Sequence, residues 1–198
     1  MELHPGLLMQ AGWFKIERGS AFLNGANVYV LDGRARFRGV ELSLTGEVTP
    51  DWSIYATAQF LSARQISGAD TVITTDARTG LVTVVPTVVG RKIENTPQRT
   101  LSIATEYRLS SLLPGFSVNA AAYYLSARAI DQFNQAFIPG YTLFDLGGAY
   151  TGRLDGHEAT VRVTGQNMAG KRYFSATGSN FIAQGPPRMV TFSVTTRF

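Results

Sequence analysis

PRMVTFSVTTRF, residues 187–198, alternates along its whole length. From Val190 onward one parity reads Val190, Phe192, Val194, Thr196, Phe198; the other reads Met189, Thr191, Ser193, Thr195, Arg197. Successive side chains of a strand point to opposite faces, so this segment has one apolar face and one of hydroxyls and charge. It stops on Phe198, with the ring on the apolar side. Two settings fit such a strand. One is the amphipathic edge of a soluble sandwich. The other is a wall whose greasy face meets lipid, with an aromatic side chain at the boundary.

The composition bears on that choice. Mean hydropathy is +0.01, high for a soluble β-protein. Yet no apolar run approaches the roughly 18 residues that a membrane helix needs. A closed barrel resolves the conflict, because its strands carry membrane character in alternation and pair every backbone group. The 198 residues suffice for one domain, residues 1–198. Cysteine is absent, which excludes a disulfide framework and a thiolate metal site. The net charge of +4 is carried almost wholly by arginine, with Lys15, Lys92 and Lys171 the only lysines. Apart from the cluster Arg34-Ala35-Arg36-Phe37-Arg38 the arginines are scattered singly, which is not a nucleic-acid footprint. The first residues, MELH, have neither the basic nor the apolar region of a signal peptide.

Residues 6–17 read as a strand of mixed parity, followed by a long loop over 18–33, rich in Gly-Ser, Asn-Gly and Asp-Gly pairs. Residues 34–48 are a clear strand: Val40, Leu42, Leu44 and Val48 on one face, Glu41, Ser43, Thr45 and Glu47 on the other. Thr49-Pro50-Asp51 is a tight turn into a strand over 52–64, with Trp52 at its start. A long connection over 65–97 holds a Val-rich piece, 81–89, with hairpin potential. Strands follow over 98–109, 116–128, 140–153, 158–168 and the final segment. The turns at 110–115 and 154–156 are short; the loops at 129–139 and 169–186 are long. About eight strands of roughly 10 to 13 residues emerge, the length that crosses a bilayer when tilted. Their connections alternate long and short, the rhythm of outer-membrane barrels with short periplasmic turns and longer external loops.

Chemistry is sparse. His4 and His157 are read as solvated loop histidines, without the neighbouring serine of a triad. No cluster has metal-ligand spacing, so no cofactor is expected. Gly147-Gly148 lies mid-strand with no helix behind it and is not a phosphate cradle. Glu41 and Glu47 share a polar face, which suits a water-lined lumen better than acid–base work. Glu106, Asp145 and Arg162 fall on the corresponding polar faces of other strands and are expected to face the lumen and whatever fills it. Tyr173, Phe174 and Phe181 lie in one external loop and Phe133 in another. These aromatics fit a ligand contact or a rim girdle equally.

Four segments carry a family resemblance. Arg36-Phe37-Arg38-Gly39-Val40-Glu41 resembles the R-x-x-G-V-E strand of TonB-dependent outer-membrane receptors, and Pro139-Gly140-Tyr141-Thr142-Leu143-Phe144-Asp145 their P-G-Y-x-x-x-D strand. The segment from Gln166 to Tyr173 is similar to their x-N-L-x-x-x-x-Y piece. Gly185-Pro186-Pro187-Arg188, followed by a strand that ends in Phe, is similar to their final G-x-P-R strand. Order and gaps match as well, over about residues 6–198.

The resemblance implies an all-β, antiparallel transmembrane β-barrel, of which this chain supplies the last eight or so strands out of 22, without the plug, TonB box, signal peptide and earlier strands. It implies no enzyme. It implies active uptake of a ferric siderophore across the bacterial outer membrane, energised by TonB through the plug. Phe133, Tyr173, Phe174 and Phe181 are then candidates for substrate contact. Outer-membrane lipid is the expected surrounding, and Phe198 the expected signal for the barrel-assembly machinery. Left open, such a sheet has two unpaired edges in lipid; closed alone, it has a lumen filled by its own side chains. The second reading is therefore a stand-alone eight-strand outer-membrane barrel acting as anchor or adhesion protein. A third is a soluble β-barrel that binds a ligand.

Overall fold

The structure, a computed structural model, describes residues 2–4, 6–23, 28–68, 72–85, 87–154, 156–178 and 181–197. No helix occurs among them. Nine strands form one antiparallel sheet, in chain order apart from three excursions. They are β1 (Glu2–His4), β2 (Leu7–Leu23), β3 (Tyr29–Thr49), β4 (Trp52–Ser67), β7 (Arg99–Arg108), β8 (Phe116–Leu125), β11 (Tyr141–Leu154), β12 (His157–Gln166) and β15 (Met189–Arg197). Each excursion is a small hairpin in a long connection: β5 (Val72–Thr75) with β6 (Val82–Val85), β9 (Arg128–Ala129) with β10 (Phe137–Ile138), and β13 (Phe174–Gly178) with β14 (Phe181–Gln184). Among the described residues β15 pairs only with β12, so the sheet does not close on itself.

The ladders fix which residues share a face. One row runs Trp13–Val40–Phe60–Arg99. The next but one runs Met9–Leu44–Ala56–Ile103–Ala122–Phe144. A lower row runs Trp52–Tyr107–Val118–Gly148–Val163–Phe192, and a shorter one below it Phe116–Tyr150–Val161–Val194. Between the Trp13 row and the Trp52 and Phe116 rows, this face carries no charged residue. Its large side chains are open, Trp13 at 70% and Phe192 at 73% exposure. The opposite parity carries the polar set, for example the row Glu47–Ser53–Glu106–Asn119–Gly147–Thr164–Thr191.

Aromatics thus bracket an uncharged band at both ends, the pattern of a lipid-facing wall. From Trp52 to Phe60 the strand advances about 27 Å, or roughly 20 Å across a bilayer at the usual barrel tilt. Trp52 also answers the hydrocarbon's demand for satisfied donors: its Nε1–H bonds Thr105 Oγ at 2.7 Å, and Thr105 donates onward to the Ser53 carbonyl at 2.9 Å.

Burial lies elsewhere. The buried apolar residues are Ala35, Ala63, Val88, Ala129, Ile138 and Ala149. All but Ala149 sit at the end with the long connections, where loop 87–98 lies against β4 through Leu61, Ala63 and Gln65. A soluble barrel of this length would bury its large aliphatic and aromatic side chains. These stay open, as on a wall whose apolar face meets lipid.

Several sequence expectations need correction. Within 18–33 the described residues, 18–23 and 28–33, are mostly ladder, with pairs Arg18–Ala35, Gly19–Arg34, Ser20–Gly33, Phe22–Val30 and Leu23–Tyr29. Gly19-Ser20 and Asp32-Gly33 sit at a register shift of the ladder rather than at its end, because β2 and β3 continue beyond the apolar band where alternation no longer reports the strand; Asn24-Gly25 lies outside the described residues. The hairpin of the next connection forms between Val72–Thr75 and Val82–Val85, not within 81–89; Asp76 takes the N–H groups of Arg78 and Thr79 at 2.8 and 2.9 Å to make its turn. The loops at 129–139 and 169–186 each contain a short hairpin, and His4 lies in β1. His157 opens β12. Phe198 lies outside the described residues.

Candidate functional site

The polar face of the sheet is its hollow side. Two troughs lie on it. One, of about 560 Å³, is lined by Gln10, Glu41, Ser43, Gln59 and Thr100. There Glu41 accepts a hydrogen bond from Gln59 Nε2 at 2.7 Å. The other, of about 570 Å³, holds Glu47, Tyr55, Glu106, Asn119, Asp145 and Arg162. Glu47 is bonded to Arg108 at 2.8 Å. Among the described residues, neither Glu106 nor Arg162 has a charged partner. The registers therefore put Glu41, Glu106, Asp145 and Arg162 on one face, but only Glu106, Asp145 and Arg162 in one trough.

Asp145 does more than line the trough. Its Oδ1 accepts the N–H of Asn167 at 2.8 Å, where the chain leaves β12. Asn167 is buried and left-handed, with φ of 49°. Its side chain donates to the carbonyls of Lys171 at 2.8 Å and Pro186 at 3.3 Å, and accepts the Lys171 N–H at 2.8 Å. One asparagine thus holds both ends of the connection between β12 and β15. Above it the rings of Tyr141 and Tyr173 meet at 4.3 Å, and Gly185 passes under Tyr173 so closely that a Cβ there would collide with the ring. Burial first, and then Tyr141 and Asp145, push the Tyr173 phenol above its ordinary range.

Arg128 joins three connections. Its Nη1 donates to Asn95 Oδ1 at 3.0 Å and the Ser175 carbonyl at 3.0 Å, and its Nη2 to the Phe174 carbonyl at 2.8 Å. It is 4% exposed, and its Nε is buried without a partner. Nearby, Asn134 exchanges two hydrogen bonds with the backbone of Lys92, at 2.7 and 2.9 Å, and Asp131 Oδ1 takes the Phe133 N–H at 2.7 Å.

The four candidate aromatics fall into different settings. Tyr173 is half-buried in the ring stack, and Phe133 is half-buried in the Asp131 turn. Phe174 on β13 and Phe181 on β14 are open, Phe181 at 79% exposure. Sequence reasoning missed Arg128, Asn134 and Asn167 as organising residues. Asn167 stood inside a quoted motif, and its place just after a strand and before a glycine-containing turn was the available signal. Arg128 had none, because its partners are carbonyls from segments 33 to 47 residues away.

What wall this is follows from comparison. Residues 3–168 match the family model described as TonB dependent receptor-like, beta-barrel. The chain belongs to that family. Among curated TonB-dependent relatives, the probable receptor BfrD of Bordetella pertussis is 28% identical over 174 residues, 82% of this chain and 21% of the relative. The probable siderophore receptor PiuA of Acinetobacter baumannii is 25% identical over 171 residues, 86% of this chain and 22% of PiuA. The crystal structure of that PiuA superposes with a TM-score of 0.77 at 24% identity, over 96% of this chain and 26% of PiuA. The A. baumannii ferric preacinetobactin receptor BauA gives a TM-score of 0.77 at 21% identity, over 96% of this chain and 27% of BauA. The chain thus spans about a fifth of the length of these curated relatives and about a quarter of the solved receptors. The sheet corresponds to part of a TonB-dependent receptor barrel, which explains why it stays open.

Proposed function

We propose that residues 1–198 are wall strands, the C-terminal part, of a TonB-dependent receptor in the bacterial outer membrane, taking part in active uptake of a ferric siderophore. The observation that carries this is the uncharged, aromatic-bracketed band on one face of an open sheet that superposes on receptor barrels. In this reading the troughs on the polar face, with Glu41, Glu106, Asp145 and Arg162, face the lumen and the plug that fills it. Phe133, Phe174 and Phe181 supply external aromatic contacts to the ligand, while Tyr173 holds the loop of Phe174 and Phe181 in place. TonB acts through the plug, outer-membrane lipid surrounds the band, and Phe198 addresses the barrel-assembly machinery. Nothing in the arrangement calls for catalysis.

The stand-alone small barrel requires a β15 ladder with β1 or β2. Among the described residues there is none. The test is transport. A strain deleted for the gene encoding this chain is grown under iron limitation and supplied with radiolabelled iron on a panel of siderophores. The proposal expects uptake of one class to fall to background and to return on complementation. Undiminished uptake of every siderophore, iron citrate included, contradicts it.

A further inference from the structure

The cluster Arg34-Ala35-Arg36-Phe37-Arg38 has no role in transport as described, and the register gives it a place. Directly beyond the Trp13–Val40–Phe60–Arg99 row, on the same outward face, comes the row Lys15–Arg38–Ser62, and then Glu17–Arg36–Arg64. Three consecutive rows therefore hold five cations, Lys15, Arg36, Arg38, Arg64 and Arg99, against one carboxylate, Glu17. One step further out on β3 stands Arg34, across from Gly19. The outward face has no comparable charge at its other end: Thr196 follows Val194 there, and Arg153 and Arg197 have the inward parity.

Two features make this more than a solvated edge. Lys15 stands directly opposite Arg38, and Arg36 directly opposite Arg64. Like charges facing across an antiparallel pair destabilise the sheet unless an anion lies between them. Glu17 neutralises only part of the patch, bonding Arg36 at 2.8 Å and Lys15 at 3.5 Å. Arg64 spends one Nη on the Gly90 carbonyl, and Arg38 has no partner among the described residues. The patch also begins where the hydrocarbon band ends, at the end with the long connections. That is the depth of lipid headgroups in the outer leaflet. Strands about 4.8 Å apart and rows about 7 Å apart make the patch roughly 10 to 15 Å across, room for more than one phosphate.

We infer that Lys15, Arg36, Arg38 and Arg64 bind the phosphates of an outer-leaflet lipid headgroup that carries more than one phosphate, such as a bis-phosphorylated glycolipid. Arginine forks suit phosphate oxygens, and the lipid's acyl chains then lie on the uncharged band below. This inference rests on the membrane-wall reading.

The test uses the protein purified from outer membranes in mild detergent, with bound lipid counted by native mass spectrometry. Bis-phosphorylated lipid A, its dephosphorylated form and phosphatidylglycerol are added in turn. Wild type is expected to retain bis-phosphorylated lipid A at least about tenfold more strongly than the dephosphorylated form. Neutralising Lys15, Arg36, Arg38 and Arg64 together to Gln removes that preference, while Arg78→Gln, in the β5–β6 turn, keeps it. Arg38→Gln alone, which breaks no bond, lowers it several-fold and serves if the fourfold variant does not fold. Equal binding of the two lipid A forms by wild type, or an unchanged preference in Arg38→Gln and in any folded fourfold variant, overturns the inference. Quenching of Trp13 by brominated lipid, in a Trp52→Phe background, separates the causes of failure. Quenching without phosphate preference removes only the headgroup site. No quenching removes the wall reading as well.

Discussion

Asp145 and Asn167, 22 residues apart, are tied by a 2.8 Å bond from the Asn167 N–H to Asp145 Oδ1. The bond runs from the polar face of β11 to the first residue after β12, so the trough and the connection above it are built as one piece. A carboxylate that looks like a lumen charge from sequence is also the anchor of the long connection between β12 and β15.

Replacing Asp145 tests which part matters. Asp145→Ala removes a charge-assisted bond and is expected to cost about 1.5 to 3 kcal/mol of stability. Asp145→Asn keeps an oxygen acceptor in place and is expected to recover most of that. Urea midpoints for loss of the compact, heat-modifiable form in detergent measure both. Equal midpoints for the Ala and Asn variants mean that the bond is not what anchors the connection.

Arg128→Ala removes the donor that Asn95 Oδ1 and the carbonyls of Phe174 and Ser175 share. The expected result is local: amide hydrogen exchange speeds up around 93–97 and 174–176 by about tenfold or more, while β8 and β11 keep their protection. Faster exchange spread evenly over the sheet contradicts the assignment of Arg128 as a clamp on the loops.

Gly147 and Gly148 separate two kinds of glycine. A Cβ on Gly147 meets Asn119 Oδ1 at 2.7 Å and the Val163 carbonyl at 2.8 Å, whereas one on Gly148 meets only the Ser117 carbonyl at 3.4 Å. Gly147→Ala is expected to destabilise by about 1 to 3 kcal/mol and Gly148→Ala to stay within about 0.5 kcal/mol of wild type, both read as urea midpoints. The reverse order contradicts the register.

The alternation itself was legible because lipid and water impose it. Val190, Phe192 and Val194 on one face, and Glu106, Asp145 and Arg162 on the other, follow from parity alone. The extension of β2 to Leu23 and of β3 back to Tyr29 was not, since beyond the band the pattern disappears. Nor was the Arg128 clamp, which depends on one distant asparagine and on two backbone carbonyls of a kind that every residue possesses. The Asp145–Asn167 bond joins two motif residues, but nothing in their spacing says that they touch.

Glu17 offers a pH test outside the membrane band. The bond from Arg36, foremost, and the nearby Lys15 charge hold its carboxyl below the ordinary value of 4.5. A depressed carboxyl adds stability above that value and loses it as pH falls through the folded pKa; on so open a group the effect on stability is small. The carboxyl carbon of Glu17, followed by NMR in the detergent-solubilised protein, is expected to titrate below 4.5 and to move up toward the ordinary value in Arg36→Gln, with Lys15 still in place. A midpoint at or above the ordinary value in wild type contradicts the pairing.

The chain contains no cysteine, so single cysteines report cleanly on each position of the wall. The most direct measurement is a scan of residues 190–195 in β15, in intact outer membranes, with a charged maleimide small enough to enter the lumen. Labelling is expected at Thr191, Ser193 and Thr195 and absent at Val190, Phe192 and Val194, which instead react with a lipid-soluble maleimide. Uniform labelling along the strand, or labelling of the Val190 row by the charged reagent, contradicts a wall with lipid on one side and water on the other.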